Sequence, residues 1–318
     1  APSGISPIDA ESIMTRARVE KLPLLSESGA LAGLMTMRDL ENVRNHPHAC
    51  RDDRGRLRVG AAIGPHQFDR AQALIDAEVD VVVIDTAHGH NKDVARAVER
   101  VKKLSNSVQV IAGNVATAEA TRALAGAGAD AVKVGVGPGR GCRTRLETAA
   151  GVPQLQAIRE AWCEVGGEIS IMADGGVRFD KDIFLALACG ADTVMLGSAL
   201  SGTDEAPGRV IEDPATHTKK KIYRGMTSPE AVMESLYDSE DSDAVDAALA
   251  TPPEGQEIQV PYRGSVVDIL HRIRGHLRSA VSYAGCDSLE KAREAILPDP
   301  LEYLIALSEA SRKESYER

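Results

Sequence analysis

The chain has 318 residues, enough for one large α/β barrel or for two ordinary domains. Apolar residues make up 43% and aromatic residues 3%, so the core must consist mainly of Ala, Val, Ile and Leu, which favours helices alternating with buried parallel strands over a β-sandwich. The net charge of −10, with no offsetting basic stripe, argues against a nucleic-acid-binding surface.

Two further features bear on location. No apolar run approaches the roughly 20 residues of a membrane-spanning helix, so we expect no membrane span. The five cysteines lack CxxC spacing, and the first residues do not resemble a targeting segment. We therefore expect a cytoplasmic protein with reduced thiols.

The first 50 residues differ in pattern from the rest of the chain. Ala17–Val43 hold two short strand-like runs on either side of a turn at Ser26–Gly29, followed by a helix that begins near Thr36. This α+β segment is too short to be a domain by itself. We therefore divide the chain into residues 1–50 and a main domain over residues 51–318.

From residue 59 onward, short apolar runs alternate with segments of helical period. The predicted strands are Val59–Ile63, Val81–Asp85, Val108–Ala112, Ala131–Gly135, Ile169–Ala173 and Thr193–Leu196. The predicted helices are Phe68–Ala77, Lys92–Leu104, Ala118–Ala127, Gln154–Val165 and Lys181–Ala188. This alternation is typical of parallel strands joined by right-handed crossovers. Both an incomplete (β/α)8 TIM barrel, with six of its eight strands visible, and a doubly wound open sheet satisfy it.

The C-terminal segments are less regular. The run Lys219–Lys221 is most simply interpreted as a solvated turn. Residues 227–253 are acidic and lack strand signals, which predicts a mobile loop with one helical turn. Ser265–Tyr283 has the spacing of an amphipathic helix, and its predicted apolar face comprises Val266, Leu270, Ile273, Leu277 and Val281.

Two glycine motifs end consecutive predicted strands. The first, "MADGG", spans Met172–Gly176, and the second, "MLGSA", spans Met195–Ala199. Small residues leave backbone N–H groups free to approach an anion, and paired βα loops of this kind bind phosphate in barrels. Asp174 is placed to accept hydrogen bonds from ribose hydroxyls. The alternative, that the glycines only permit tight turns, suits either motif alone better than the pair.

A third loop, Gly135–Arg145, has the sequence "GVGPGRGCRTR". Cys142 lies near its end, with Arg140, Arg143 and Arg145 as sequence neighbours. Guanidinium groups favour the thiolate, the reactive form of cysteine, so we interpret Cys142 as a nucleophile rather than a small core residue. The likeness to a dinucleotide-binding GxGxxG loop is weak, because no apolar helix start follows.

The segment "VIDTAHGHN", Val83–Asn91, places an acid at the carboxyl end of a strand. Asp85 there suits hydrogen bonding to the ribose of a nicotinamide cofactor. His88 and His90 have no third metal ligand beside them, so we interpret them as loop residues.

Together these motifs resemble the IMP dehydrogenase/GMP reductase family. In family order the chain contains "RLRVGAAIG", "VIDTAHGH", "VIAGNVATAE", "ADAVKVGVGPG", the Cys142 loop, "GVPQ", "ADGG", "VMLGS", "GTDEAPG" and "YRGM". The resemblance covers roughly Arg18 to Ala295, and Ala17–Val43 resemble the end of the second CBS module that IMP dehydrogenases insert in their barrel. It implies a (β/α)8 barrel, incomplete here, and a homotetramer.

The resemblance also implies a two-step reaction on a purine nucleotide. Cys142 attacks C2 of IMP while hydride passes to NAD, and hydrolysis of the resulting thioimidate gives XMP. GMP reductases run a related reaction with NADPH, from GMP to IMP, and release ammonia. Thr144 and Glu254, in "PPEG", match a pair that relays protons or contacts the purine.

Binding residues follow from the same resemblance. The nucleotide-binding positions are matched by Asp174, Gly175, Gly176, Gly197, Ser198, Tyr223, Gly225 and Met226, together with Arg140, which occupies the place of a phosphate-binding serine. Cofactor-binding positions are matched by Asp85, Thr86, Asn114 and Gly135. The loop that holds a monovalent cation, K⁺, is matched by Gly137, Gly139 and Cys142.

The flap, residues 227–253, departs from the dehydrogenase pattern. Dehydrogenases carry an Arg-Tyr pair there, whose arginine activates the hydrolytic water. Between Arg224 and Arg263 this sequence has no Arg or Lys, and the flap contributes acids and Tyr237. Thr227 also stands where the family has glycine. An acidic flap cannot supply that base.

Three hypotheses follow. An NAD-dependent IMP dehydrogenase ranks first, because CBS insertion is commoner on that side of the family. A GMP reductase ranks second, because it needs no flap arginine. A catalytically impaired nucleotide-binding relative ranks third. Six strands of eight leave two open edges, so we expect a fragment of a longer protein rather than a barrel completed by partner chains.

Overall fold

The structure, a computed structural model, describes residues 1–236, 250, 252–303, 305 and 307–311. The chain divides into two compact units, Ala1–Val59 and Gly60–Arg318. None of the helices among the described residues is long and apolar enough to cross a membrane.

The smaller unit combines two helices with a β-hairpin. Its elements are α1 (Pro7–Ala17), β1 (Lys21–Leu25), β2 (Leu31–Thr36) and α2 (Met37–Asn45), with β1 and β2 antiparallel. The hairpin and the helix near Thr36 agree with the sequence prediction. Thr36 caps α2, since its hydroxyl accepts the Asp39 N–H while the Asp39 carboxylate accepts the Thr36 N–H. The core of this unit comprises Ala10, Met14, Leu22 and Leu40.

The larger unit is built on a parallel sheet whose strands follow chain order. They are β3 (Gly60–Ile63), β4 (Val81–Asp85), β5 (Gln109–Val115), β6 (Ala131–Val134), β7 (Ser170–Asp174) and β8 (Thr193–Met195). The connecting helices are α3 (Phe68–Asp76), α4 (Lys92–Leu104), α5 (Ala118–Gly126), α6 (Thr144–Thr148), α7 (Gln154–Val165) and α8 (Asp180–Ala188). Each predicted strand and helix of this region is present, with ends shifted by at most three residues.

The uninterrupted strand order confirms an incomplete (β/α)8 barrel and excludes the doubly wound sheet, in which the order reverses. Among the described residues, β3 and β8 each pair on one side only. The core between sheet and helices is made of small aliphatic residues, and all four residues of β6 are buried. These strands therefore present their carboxyl ends along one edge of a rigid sheet.

The remaining elements lie C-terminal to this sheet. They are β9 (Ile211–Glu212), β10 (Lys219–Arg224), α9 (Pro229–Leu236), β11 (Glu257–Pro261), α10 (Val266–Tyr283) and α11 (Leu289–Ile296). The strands β9, β10 and β11 form a separate antiparallel sheet with β10 in the centre.

Two sequence predictions in this region are wrong. Lys219–Lys221 is not a turn: it opens β10, and the buried Lys221 donates to the carbonyls of Thr203 and Ala206 at 2.8 and 2.6 Å. The predicted apolar face of α10 is correct at Ile273, Leu277 and Val281 but wrong at Leu270. Leu270 is 48% exposed, and Ile269 packs instead against Ile183 of α8.

The predicted loop over residues 227–253 contains the two-turn helix α9 rather than a single helical turn. Residues 237–249 and 251, including Tyr237, lie outside the described residues. The prediction of a mobile flap therefore stays a prediction.

Candidate functional site

The polar residues that the sequence analysis selected converge at the carboxyl edge of the parallel sheet. Asp85 ends β4, Asp174 ends β7, and Gly135 directly follows β6. Because parallel strands present their carboxyl ends on one side, side chains far apart in sequence meet there. Two adjoining cavities of about 470 and 640 Å³ occupy this edge, and both are lined by Cys142, Asp174 and Tyr223.

The two cavities divide the predicted site residues between them. The smaller one is lined in addition by Asp85, Thr86, Asn114, Gly135, Thr144, Gly225 and Met226. The larger one is lined in addition by Gly176, Gly197, Ser198 and Arg140, and also by Arg178, Arg263 and Arg272. Gly137, Gly139 and Gly175 line both cavities. Of the predicted residues, Glu254 lines neither and reaches the site through a hydrogen bond.

The Cys142 loop is held against the segment that follows the flap. The Arg143 N–H donates to the carbonyl of Glu254 at 2.6 Å, and the Gln256 N–H donates to the carbonyl of Gly141 at 2.9 Å. These bonds flank Cys142 on both sides, like a short antiparallel ladder. The loop is glycine-rich yet fixed in position.

Cys142, Thr144 and Glu254 form a continuous hydrogen-bonded line. The Thr144 hydroxyl donates to Glu254 Oε2 at 2.6 Å, and the Cys142 Sγ lies 3.2 Å from Thr144 Oγ1. The hydroxyl has one proton, which it gives to the carboxylate, so the thiol must be the donor in the other bond. The line therefore runs from the thiol through the hydroxyl to an acidic acceptor.

The expected support of a Cys142 thiolate by Arg143 and Arg145 is wrong. The Arg143 guanidinium pairs with Glu147, its Nε 2.7 Å from Oε1, and Arg145 donates to the carbonyl of Val136 at 3.0 Å. Both side chains stabilise the loop itself rather than the sulfur. Sequence adjacency did not show that their donors have partners within the same turn.

Lys133 is the principal residue that the sequence analysis missed. It lies on β6, its side chain is 5% exposed, and its Nζ is 2.7 Å from Asp174 Oδ2 and 2.9 Å from Asp85 Oδ1. Burial opposes the charged form, but the carboxylates of Asp174 and Asp85 outweigh burial and hold the pKa of Lys133 above its ordinary value. A lysine between the valines of the otherwise apolar run "AVKVGV" was the available signal.

Asn114 and Gln154 connect the strand ends and leave acceptors free. The Asn114 Nδ2 donates to the Gly135 carbonyl at 2.8 Å and to Asp174 Oδ2 at 2.9 Å. The Gln154 Nε2 donates to the Val134 carbonyl at 2.8 Å. The buried Oδ1 of Asn114 and Oε1 of Gln154 have no hydrogen-bond partner within the described part of the chain. Of the two residues, Asn114 lines the smaller cavity, so its unpaired oxygen is available there to a ligand.

Tyr223 of β10 closes the space between two glycine loops. A Cβ on Gly197 would lie 2.8 Å from its hydroxyl, and a Cβ on Gly141 would lie 3.1 Å from its ring. Burial, followed by the charges of Asp174 and Cys142, raises the pKa of Tyr223 above its ordinary value. The phenol therefore stays protonated and can donate a hydrogen bond into either cavity.

His88 and His90 are exposed, in agreement with their interpretation as loop residues. No group of three or more His, Cys, Asp or Glu side chains suited to a metal ion occurs among the described residues.

Comparison with known proteins identifies the relatives of this chain. The family model described as "IMP dehydrogenase / GMP reductase domain" matches residues 32–317. An inosine-5'-monophosphate dehydrogenase of Aquifex aeolicus is 47% identical over 297 residues, which cover 92% of this chain and 60% of the relative. A protein of the same name from Rhizobium tropici is 43% identical, with coverage of 92% and 59%. The chain thus spans about 60% of the length of these curated relatives.

Among solved structures, a GMP reductase variant from Trypanosoma brucei in complex with guanosine 5'-monophosphate superimposes with a TM-score of 0.81. It is 39% identical in sequence, and the match covers 95% of this chain and 64% of that one. Another structure of GMP reductase from the same organism gives a TM-score of 0.69.

Proposed function

Because the chain belongs to the IMP dehydrogenase/GMP reductase family, we propose that it carries the catalytic site of an NAD-dependent IMP dehydrogenase. Relatives bearing that name are 43–47% identical to it. The observation that carries the proposal is the hydrogen-bonded line from Cys142 through Thr144 to Glu254. It joins a nucleophile to an acidic proton acceptor at the carboxyl edge of a barrel sheet.

The purine nucleotide binds across the two cavities. Asp174 accepts hydrogen bonds from the ribose hydroxyls, and the backbone N–H groups of Gly176 and Ser198 face the phosphate. The larger cavity adds positive charge through Arg178 and Arg263, with Arg140 at its mouth. Tyr223, a protonated donor between the two loops, contributes a further hydrogen bond to the phosphate.

Cys142 supplies the covalent step. Its proton passes to Thr144 as that hydroxyl gives its own to Glu254, and the sulfur bonds to C2 of IMP. A water then adds to C2 of the thioimidate and the C–S bond breaks, which releases XMP and restores the cysteine. Glu254 releases the Cys142 proton to solvent before this step, and the two protons of the water go to the ring nitrogen N3 and to the departing sulfur.

The cofactor residues fit a nicotinamide nucleotide. Asp85 is 44% exposed with one oxygen on Lys133, so its carboxylate has room to accept from ribose hydroxyls. The unpaired Oδ1 of Asn114 offers a further acceptor in the same cavity as Thr86 and Gly135. When bound, NAD supplies the acceptor for the hydride that leaves C2 of the substrate.

A monovalent cation also fits the Cys142 loop. The carbonyls of Gly137, Gly139 and Cys142 are neutral oxygen ligands of the kind that K⁺ prefers. The Gly139 carbonyl also accepts the Cys142 N–H at 3.1 Å, so a cation there would stiffen the turn that carries the nucleophile. We assign this loop to K⁺ for that reason.

The remaining assignments rest on the family. We propose that residues 1–50 are the remnant of a CBS module with its linker and that residues 51–318 belong to the catalytic barrel. The α+β hairpin unit at Ala1–Val59 supports that division. We further propose a cytoplasmic homotetramer, as the resemblance implies.

GMP reductase is the second candidate, and one observation favours it. The sequence between Arg224 and Arg263 contains no Arg or Lys, and the hydrolytic step of a dehydrogenase needs a base in this flap. A reductase needs no such base, because ammonia rather than water exchanges at C2. The structural neighbour in complex with guanosine 5'-monophosphate is a reductase.

Nicotinamide absorbance distinguishes the two candidates. We expect reduced cofactor to accumulate with IMP and NAD, and the Cys142→Ala variant to bind IMP without turnover. Loss of reduced cofactor with GMP and NADPH would instead assign a reductase. A single burst with IMP, followed by a slow phase, would identify hydrolysis as the limiting step. Nucleotide binding without either reaction would support the impaired relative and contradict the proposal.

A further inference from the structure

We propose that Lys133 is a positioning residue, which keeps two carboxylates ionised side by side so that nucleotide and cofactor bind at the same time. The inference rests on the proposed function, in which Asp174 receives the ribose of the nucleotide and Asp85 that of the cofactor. It adds a residue to which that function assigns no role.

The strand register brings Lys133 to both carboxylates. Asp85 of β4 is level with Gly113 of β5, and Gly113 is level with Lys133 of β6. A Cβ on Gly113 would lie 2.6 Å from the Cβ of Lys133, so only glycine leaves this path open. The lysine side chain can therefore extend across β5 to Asp85 while it also contacts Asp174 of β7.

The ammonium of Lys133 is shielded from solvent, whereas the carboxylates of Asp85 and Asp174 are partly exposed. The Lys133 side chain is 5% exposed, whereas those of Asp174 and Asp85 are 23% and 44% exposed. Each carboxylate thus has one oxygen on the buried ammonium and retains surface toward the cavity. Lys133 also lines the smaller cavity, but its ammonium already contacts both acids, so its action on a ligand passes mainly through them.

The ammonium of Lys133 affects the ionisation of the two carboxylates. Without the ammonium, two carboxylates a few ångströms apart repel each other, and one takes up a proton well above its ordinary pKa. Asn114, the other side chain bonded to the Asp174 carboxylate, is a neutral amide. Arg178, Arg263 and Arg272 line the larger cavity with Asp174, but among the described residues none of them forms an ion pair with it, so they replace the cation only in part. A protonated acid is a poorer acceptor for ribose hydroxyls, so one ligand loses its partner.

Thermal unfolding of the ligand-free chain tests the charge effect. We compare wild type, Lys133→Met and Lys133→Met/Asp85→Asn between pH 5 and pH 8. In Lys133→Met the folded-state carboxylate pKa is raised, so stability relative to wild type is lost as pH rises through that value. Asp85→Asn leaves a single acid and should remove most of this pH dependence.

Lys102→Met is the matched control. Lys102 also pairs with an aspartate, its Nζ 2.9 Å from Asp130 Oδ2, and neither residue lines the two cavities. Its removal unpairs one carboxylate rather than two, so we expect a loss of stability that is the same throughout the pH range.

Titration calorimetry with IMP tests the consequence for binding. The IMP phosphate titrates near about pH 6, so each variant is compared with wild type at the same pH. Relative to wild type, the Kd of Lys133→Met should rise about tenfold per pH unit below the raised pKa. Asp85→Asn in that background should restore IMP affinity, although Asp85 does not touch the nucleotide, and should leave NAD binding weak.

A merely structural lysine would give a different pattern. Equal destabilisation at every pH, or no restoration of IMP affinity by Asp85→Asn, would overturn the inference. If the wild-type chain bound neither IMP nor GMP, the proposed function would fail, and with it the ligand half of this inference. The unfolding series would still decide the electrostatic half.

Discussion

At the scale of single residues, Glu254 is placed to be a base without lining either cavity. Its Oε2 accepts from Thr144 at 2.6 Å, and its backbone carbonyl accepts from Arg143. The hydrogen bond from Arg143 fixes the position of the Glu254 main chain, and the hydrogen bond from Thr144 fixes the orientation of the Glu254 carboxylate. Removing its charge should therefore affect proton transfer while leaving the loop in place.

We expect Glu254→Gln to lower kcat by about 10²- to 10³-fold, because the amide still accepts from Thr144 but no longer takes up its proton. The Kd for IMP should change less than about threefold, since Glu254 lines neither of the two cavities. Steady-state kinetics together with calorimetry measures both. Glu160→Gln, on the far face of α7, is the control, and an equal loss in both variants would contradict the relay.

At the scale of secondary-structure elements, the carboxyl edge of the parallel sheet depends on close approach between the ends of neighbouring strands. Gly135 follows β6 with φ of +147°, and a Cβ there would overlap the carbonyl oxygen of Asp174 at the end of β7. The glycine is thus required both by backbone conformation and by space. This close approach holds the start of the Cys142 loop against the end of β7, which carries Asp174.

We expect Gly135→Ala to destabilise the fold by about 2–4 kcal/mol, from strain at positive φ and the overlap with β7. Gly126→Ala is the paired control: a Cβ at that last residue of α5 meets nothing within 4 Å. It should be neutral or stabilise by up to about 1 kcal/mol. Denaturant unfolding gives both values, and similar losses would contradict the close-approach argument.

The packing of α8 against α10 has an electrostatic component that depends on pH. The Asp180 carboxylate lies 2.9 Å from Arg272 Nε and 2.6 Å from His276 Nδ1. The hydrogen bond from Arg272, aided by His276, lowers the pKa of Asp180 below its ordinary value. A lowered pKa stabilises the fold above the unfolded-state value, and this contribution disappears as pH falls through the folded-state value.

Asp180→Asn should therefore lower stability by about 1 kcal/mol at pH 7, a value kept small by solvent around Arg272. Once pH has fallen through the lowered folded-state pKa, the aspartate is protonated in both states and the two proteins should unfold alike. Thermal unfolding at several pH values measures this difference. A difference in stability that persisted in acid would show that packing, rather than the charge of Asp180, holds α10 against α8.

The sequence predicted the alternating elements well because their signals are local. Apolar runs and capping residues mark β3 to β8 and the helices α3, α4, α5, α7 and α8 within a few residues, whereas the short helix α6 was not predicted. What escaped was set by tertiary contacts. Lys221 is buried because the carbonyls of distant residues accept its hydrogen bonds, and the Arg143 guanidinium pairs with Glu147 rather than with Cys142. The strands β9 to β11 consist mostly of polar residues and so lack an apolar run.

For the candidate site, the sequence predicted which residues lie at the carboxyl edge of the sheet, but not which of them contact one another. Motif order placed nearly all the selected residues around the two cavities. The bridge from Lys133 to Asp85 depends on which residue is level with which across three strands, and no local pattern encodes that register.

For the whole molecule, the division at Val59 separates the proposed CBS remnant from every residue proposed for catalysis. The smaller unit has its own core, and the larger unit contains both cavities. Residues 51–58, at the end of the smaller unit, contain several exposed arginines, and trypsin cleaves after arginine.

We expect limited trypsin digestion to cut first within residues 51–58 and to leave IMP affinity within about twofold of the intact chain, since no proposed ligand contact precedes Asp85. Mass spectrometry locates the cut, and calorimetry on the nicked protein measures affinity. Loss of IMP binding on cleavage there would show that the smaller unit supports the site.

The antiparallel pairing of β10 with β11 has a consequence for the segment that connects the two strands. Arg224 is level with Glu257, and the Gly225 N–H donates to the Gln256 carbonyl, so the chain leaves and re-enters the sheet at neighbouring points. The cost of closing such an insertion grows slowly with its length. We therefore expect residues 227–253 to tolerate changes of length and sequence at little cost to β10, β11 and the Cys142 loop.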